Sequence, residues 1–134
     1  MEMNMKKVIN YKSIFVTDGD KDSMQFKTVG DYSVNDKTHI RLQHEDLRMQ
    51  IAYKNSDIYL KNNNSMLHLN SEIMVENNYN LAYGSVVLVT KVLLFEADDN
   101  HLKLKYELYQ ADTLVSTVYI LMTMSDEEEE ISVN

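Results

Sequence analysis

Apolar and charged residues alternate with a period of two along most of this chain, most clearly between 102 and 108. Leu102, Leu104, Tyr106 and Leu108 fall on one side of an extended backbone, and charged residues occupy the positions between them. Successive side chains of a β-strand point to opposite faces of the sheet. The spacing therefore predicts a strand with one buried face, and it does not fit a helix.

The same alternation predicts further strands along the chain. They lie near 7–17, 23–33, 37–44, 47–54, 57–61, 65–71, 79–83, 85–96, 101–110 and 113–125. Asn, Asp and Gly separate them, and these residues suit tight turns. Short connections favour an antiparallel meander, because parallel pairs need a long crossover. No segment has a sustained helical stripe of apolar residues, so the prediction is an all-β protein.

The length of the later strands selects among all-β architectures. The segments 85–96, 101–110 and 113–125 would each span roughly 30–40 Å at about 3.3 Å per residue. Long antiparallel strands with regular links tend to close on themselves, which removes exposed edges. We predict an up-and-down antiparallel barrel of about eight to ten strands, a size that holds side chains or one small ligand.

Composition limits the remaining possibilities. A chain of 134 residues with net charge −8 and no cysteine fits one domain without disulfides or Cys-ligated zinc. We expect a barrel domain over 1–125 and an acidic, flexible tail over 126–134, since five acids in that tail leave a nearly balanced body. No signal-like apolar run is present, so we expect a cytoplasmic protein without a membrane partner. No basic stripe with interleaved aromatics is visible, so no nucleic-acid partner is expected.

Catalytic and metal motifs are lacking in the sequence. The segment 18–22 begins like a calcium loop but lacks its later glycine and glutamate, so we interpret it as a hairpin turn. No nucleophile elbow or phosphate-binding glycine loop occurs. The histidines do not have the spacing of zinc ligands; they are His39, His44, His68 and His101. We therefore expect no enzyme, no cofactor and no metal.

Two strands are apolar on both faces, namely 85–96 and 113–125. In the first, the alternation groups Leu88 and Leu94 on one face and Leu93 and Phe95 on the other. An apolar outer face needs a cover, either another segment or a second subunit. A homodimer through this face is one prediction.

Two hydroxyls stand among apolar residues that are expected to face the barrel interior. Thr90 shares its face with Leu88, and Tyr106 shares its face with Leu104. These four residues would form a mostly apolar pocket in which the hydroxyls orient a ligand. In the alternative, the hydroxyls bond each other or the backbone within a filled core.

Two arginines and a glycine complete the candidates. Arg41 and Arg48 could pair with an anionic ligand head, yet both are out of phase with the apolar residues of their strands, which favours the outside. Gly84, after Tyr83, precedes a long strand, where a left-handed turn or a sharp corner is expected.

The last third of the chain combines several of these features. It carries Tyr79, Tyr83-Gly84, a strand with Thr90, the alternating segment 102–108 and a closing strand with Val115-Ser116. This combination resembles the YwiB-like family, small bacterial proteins of unknown function with a calycin-like (lipocalin-like) β-barrel. The family has Thr-Pro before its Tyr-Gly turn, where this chain has other residues. The resemblance implies the barrel and no particular activity.

The sequence thus predicts a non-enzymatic barrel that binds a small apolar or amphipathic ligand. The alternative is a dimeric protein-interaction or scaffold module that uses the apolar outer face of 85–96 and 113–125.

Overall fold

The computed structural model describes residues 3–63 and 65–126, which form ten β-strands and no helix. The strands are β1 (Met3–Thr17), β2 (Asp20–Val34), β3 (Thr38–His44), β4 (Leu47–Lys54), β5 (Asp57–Asn62), β6 (Ser65–Asn70), β7 (Val75–Leu81), β8 (Gly84–Ala97), β9 (His101–Gln110) and β10 (Thr113–Asp126). The all-β prediction is confirmed. The boundaries agree closely except at β1 and β7, each of which begins four residues before the predicted strands 7–17 and 79–83.

All strands belong to one antiparallel sheet with the order β6-β5-β4-β3-β2-β1-β10-β9-β8-β7. Every strand pairs with its neighbours in sequence except that β6 and β7 form no ladder with each other, and β1 pairs with β10. The sheet curls until its edge strands, β6 and β7, meet. An up-and-down barrel is therefore confirmed, and it is nearly closed.

The hydrophobic core fills the inside of the barrel. The apolar face of 102–108 points inward, because Leu102, Leu104 and Tyr106 are buried in one cluster with residues from the opposite wall. The largest fully buried side chains of that cluster include Ile9, Ile40, Ile51, Leu60, Ile120 and Met122. The interior is thus packed with side chains drawn from nearly every strand.

Side chains close the seam between β6 and β7, where no backbone ladder forms. The backbone N–H of His68 donates to Asn77 Oδ1 at 2.8 Å, and Asn77 Nδ2 donates to the His68 carbonyl at 2.9 Å. The amide of Asn77 therefore takes the place of a backbone peptide unit. It satisfies two groups that a strand edge would otherwise leave unpaired.

A β-bulge changes the expected faces of β8. Val92 pairs with Tyr106, but the register then shifts so that Phe95 pairs with Leu104. Phe95 consequently contacts the inner core, whereas the alternation groups it with the opposite face. The grouping of Leu94 with the inner residues is also wrong, since Leu94 pairs with the outward Lys105. One extra residue in the bulge reverses the alternation beyond it.

The predicted turn at Gly84 is present. Gly84 begins β8 with φ of +145°, a backbone conformation that favours glycine, and Tyr83 before it is 89% exposed. The segment 18–22 includes the turn between β1 and β2, as expected. Of the predicted tail, Asp126 ends β10, and 127–134 lie outside the described residues. Over the described part of the chain, no helix long and apolar enough to span a membrane is found.

Candidate functional site

The four residues predicted to line the interior all point inward and are buried. Thr90 is 1% exposed, and its hydroxyl lies 2.8 Å from the His68 carbonyl and 3.3 Å from the Val75 carbonyl. That hydroxyl bonds the backbone across the seam between β6 and β7. A ligand role for Thr90 remains a prediction, and its visible partners are structural.

Tyr106 lies deep in the barrel. Burial raises the pKa of its phenol, and the neighbouring phenols of Tyr11 and Tyr79 raise it further. Burial likewise raises the pKa of Tyr11, partly offset by the Ser13 hydroxyl. The interior thus carries neutral phenols among aliphatic side chains, an arrangement suited to packing.

A buried lysine closes one end of the barrel. Lys7 is 3% exposed; its ammonium donates to the Asp99 carbonyl at 2.5 Å and lies 4.6 Å from the centre of the Tyr32 ring. Tyr32 in turn donates to Asp99 Oδ1 at 3.2 Å. The ammonium also lies 4.0 Å from Asp126 Oδ1. A carbonyl, an aromatic face and a carboxylate thus meet the charge, which allows its burial. Lys7 shares its strand face with Ile9 and Tyr11, so the alternation places it inward, although a lysine ordinarily faces solvent.

The backbone ladder between β2 and β3 covers only one end of these two strands, and beyond it the strands separate. These strands pair from Val34 and Thr38 only as far as Asp31 and Arg41, after which β2 pairs with β1 alone. Gly30 stands where they separate, and a Cβ there would lie 2.5 Å from the Arg41 carbonyl oxygen. Glycine therefore permits the close approach that precedes the split.

Two side-chain contacts bridge the split beyond Gly30. Thr28 Oγ1 donates to the Gln43 carbonyl at 3.0 Å, and the rings of Phe26 and His44 stack with centroids 4.3 Å apart. The two strands are thus held by side chains in place of a ladder.

A groove of about 470 Å³ opens on the outside at this split. Its apolar part comes from Val29 and from the buried side chains of Leu42 and Met49. A second groove of about 460 Å³, lined by Met24, Phe26, His44 and Leu47 among others, shares Asn63 with it. Together they expose apolar surface along the split.

Three cations surround the first groove. Arg41 on β3 and Lys61 on β5 are both register partners of Gln50 on β4. Arg48 lies on β4 two residues before Gln50, and it also lines the groove. Over residues 3–63 and 65–126, no carboxylate forms an ion pair with any of the three. The adjacent Asp31 is engaged by Lys6 at 2.6 Å.

The side chains around the first groove supply the hydrogen-bond donors that an anion needs. Two guanidinium groups and one ammonium supply charged donors, and the amides of Gln43 and Gln50 in the groove supply neutral ones. Arginine forks match carboxylate and phosphate oxygens in pairs. The groove therefore joins an anion-binding rim to an apolar floor.

Sequence reasoning found part of this site. The outward position of Arg41 and Arg48 is confirmed, since both are exposed. It missed Lys61 and the split, because both depend on the pairing between strands. Among the described residues, no group of three or more His, Asp or Glu side chains could hold a metal ion.

Comparisons with known proteins address the fold. No protein-family model matches the chain, and no curated protein matches it. Its fold is similar to the crystal structure of the ywiB protein from Bacillus subtilis, with a TM-score of 0.65 over 91% of this chain and 93% of that one. The sequences are 13% identical, so the likeness concerns the fold. The chain therefore has a YwiB-like β-barrel fold, as its last third predicts.

Proposed function

We propose that the protein is a non-enzymatic binding barrel for a small amphipathic ligand with an anionic head. The head would lie among Arg41, Arg48 and Lys61, and the apolar part would cover Leu42 and Met49 in the split between β2 and β3. The observation that carries the proposal is the presence of three cations without carboxylate partners, among the described residues, around a groove of about 470 Å³ whose lining is partly apolar. Ligand pockets commonly have volumes of about 300–1,000 Å³.

The chemistry of the groove favours an amphipathic ligand over a purely apolar one. A purely apolar ligand would leave the guanidinium groups without new partners, whereas an anionic head gains charge-assisted hydrogen bonds. An inorganic anion would leave the floor uncovered, and each buried methylene of a tail adds about 0.8 kcal/mol. This site replaces the interior as the proposed location, because the interior is filled by the core cluster.

The fold type, the cellular location and the absence of a cofactor are part of the same proposal. We propose a calycin-like barrel located in the cytoplasm, without a cofactor. Such folds host many functions, so the fold itself does not select the ligand.

Isothermal titration calorimetry with decyl phosphate, kept below its micellar concentration, tests the proposal. We expect saturable binding that weakens as NaCl rises from 50 to 300 mM, because salt screens the exposed cations. Inorganic phosphate and the neutral-headed decyl maltoside should each bind at least tenfold more weakly.

A triple variant with Arg41→Gln, Arg48→Gln and Lys61→Gln should lose decyl phosphate binding at least tenfold. The matched control replaces Lys12, Lys103 and Lys105, which face outward on β1 and β9, by glutamine. Equal losses in the two triple variants would show a general charge effect and contradict the site.

A homodimer through the outer face of β8 and β10 is the second proposal. Val87 and Leu93 on β8 remain 46% and 45% exposed, which supports an apolar contact surface. The outward Lys103, Lys105 and Glu107 of β9 separate β8 from β10, so a partner would have to cover charged residues as well. Sedimentation equilibrium over a hundredfold concentration range tests it: a dimer that Leu93→Asp dissociates supports the proposal, and a monomer throughout rejects it.

A further inference from the structure

The two grooves along the split carry charges of opposite sign. Three cations surround the first groove, whereas Glu45 and Asp46 line the second. Among the described residues, no lysine or arginine lines the second groove. Asn63 lines both grooves, so the two meet at that residue. A single ligand that occupies both would therefore have its two ends in fields of opposite sign.

The acidic end is the turn between β3 and β4. Glu45 Oε1 lies 3.8 Å from His44 Nε2, and this side chain of Glu45 is 84% exposed. Asp46 forms no ion pair within the described part of the chain. The turn therefore offers carboxylate oxygens to a cation from outside, and a ligand with only an anionic head would not use them.

The separation of the two charged ends sets the length of such a ligand. Gln50 is the register partner of both Arg41 and Lys61, and it lies four residues after Asp46. Four residues of extended backbone span about 13 Å, at about 3.3 Å per residue. An extended peptide of four residues has close to that length between its terminal ammonium and its terminal carboxylate.

Carboxamide side chains line both grooves between the charged ends. Gln43 and Gln50 lie in the first groove, Gln25 lies in the second, and Asn63 lies in both. Asn63 Oδ1 accepts the backbone N–H of Arg48 at 3.0 Å, which leaves its amide nitrogen to donate elsewhere. A carboxamide both donates and accepts hydrogen bonds, as a peptide group does. This polar lining therefore matches a peptide backbone.

The edge of β2 also reaches the second groove. Met24 and Gln25 line that groove beyond the stacked rings of Phe26 and His44, and β2 pairs there with β1 alone. A strand edge without a ladder partner presents backbone N–H and C=O groups, to which an extended peptide can add. Met24 is 44% exposed at this edge, and with Leu47 it gives an apolar side chain of such a peptide a surface to cover.

We propose that the ligand of the two grooves is a short extended peptide, about four residues long, with both termini free. Its carboxylate lies among the cations of the first groove, and its ammonium lies beside Glu45 and Asp46. Its apolar side chains cover Leu42 and Met49. The inference rests on the proposed function, because it names the class of the amphipathic anion and adds a cationic end to it. A fatty acid or an alkyl phosphate lacks that end and leaves the acidic turn without a partner.

Isothermal titration calorimetry with the tetrapeptide Leu-Ala-Ala-Leu, at pH 6.5 and 50 mM NaCl, tests the proposal. The terminal amine is protonated at that pH. We expect saturable binding, which N-acetylation and C-amidation should each weaken at least fivefold because each removes one charged contact. The dipeptide Leu-Leu should bind at least tenfold more weakly, since it is too short to reach both charged ends. Equal affinities for the free and the N-acetylated tetrapeptide would overturn the proposal.

A double variant with Glu45→Gln and Asp46→Asn removes the acidic end. It should bind the free tetrapeptide at least fivefold more weakly than the parent does, and it should bind the N-acetylated peptide as the parent does. The matched control is Asp18→Asn with Asp20→Asn, two exposed acids at the turn between β1 and β2 that line neither groove. If the control lost as much affinity, overall charge would decide binding and the proposal would be wrong.

Decyl phosphate separates this inference from the proposed function. The Glu45→Gln and Asp46→Asn variant should keep at least the parent affinity for decyl phosphate, whose tail covers Leu42 and Met49. Binding of decyl phosphate without binding of the tetrapeptide would overturn the peptide and leave the proposed function in place, and absence of both would reject both. If neither bound and the protein sedimented as a dimer that Met24→Asp dissociates, a second copy would occupy the grooves, which also overturns the peptide.

Discussion

The side-chain amide of Asn77 bonds both backbone groups of His68, and thereby joins the two edge strands of the sheet. The two hydrogen bonds measure 2.8 and 2.9 Å, and the Thr90 hydroxyl adds a third contact to the same His68 carbonyl. A pair of side chains thus completes a barrel that its backbone leaves open. Closure protects β6 and β7 from pairing with other chains.

Replacement of Asn77 by alanine should destabilise the protein by about 2 kcal/mol, because the His68 amide loses its acceptor at a partly buried seam. Urea denaturation measures the change in the free energy of unfolding. Asn78→Ala, on the neighbouring outward position of β7, is the control and should change it by less than about 0.5 kcal/mol. Equal effects of the two variants would mean that the seam is not held by Asn77.

Replacement of Thr90 by valine should cost about 1–2 kcal/mol, since it removes a buried hydroxyl that bonds a backbone carbonyl. Thr123→Val, on the exposed face of β10, is the matched control and should be nearly neutral. Decyl phosphate affinity should stay unchanged in Thr90→Val. If Thr90→Val lowered the affinity for decyl phosphate without lowering the free energy of unfolding, the binding site would have to lie in the barrel interior.

Replacement of Gly84 by alanine should destabilise the protein by about 1 kcal/mol, because φ of +145° is unfavourable for a residue with a Cβ. No atom obstructs a Cβ there, so the effect would come from the backbone alone. Thermal unfolding measures it, with Ser85→Ala as the control. Gly30→Ala should cost more, since its Cβ would lie 2.5 Å from the backbone carbonyl oxygen of Arg41, which cannot move aside as a side chain could.

Alkaline pH should destabilise the barrel. Burial raises the pKa of Tyr106, Tyr32, Tyr53 and Tyr11 above the ordinary value. Above about pH 10 the unfolded chain releases phenolic protons that the folded chain retains, so the free energy of unfolding falls as pH rises. The contribution of the neutral buried phenols to the free energy of unfolding is fully present below about pH 10. It is lost as the pH rises toward the raised pKa values of the folded state.

Urea denaturation at several values between pH 8 and pH 11.5 measures the trend. Each buried tyrosine contributes a slope of up to about 1.4 kcal/mol per pH unit, and Tyr106→Phe should reduce the slope accordingly. Tyr83→Phe, in an exposed turn, should leave it unchanged. A pH-independent free energy over this range would contradict the burial of these phenols.

The fold was predictable because its signals are local. The alternation at 102–108 depends on neighbours in sequence, as does the glycine at the start of β8, and both expectations are confirmed. The bulge in β8 was not predictable, because Val92 and Phe95 are both apolar and either face accepts them. Its position is decided by pairing with β9.

The candidate sites were less predictable because they depend on register. Arg41 and Lys61 lie twenty positions apart in the chain and become neighbours through β4. The inward Lys7 is tolerated because Asp99 and Tyr32 meet it at the end of the barrel. The sequence of 3–17 cannot predict these contacts, because Asp99 and Tyr32 belong to other parts of the chain.

Methyl NMR of the protein labelled with ¹³C at the methionine ε-methyl groups tests the central claim most directly. Met49 lies at the floor of the groove, whereas Met122 and Met124 lie in the core and Met66 is exposed. Titration with decyl phosphate should shift the Met49 signal progressively and leave those of Met122 and Met66 in place. Shifts at Met122 or Met124 with an unmoved Met49 would contradict a ligand site in the split between β2 and β3.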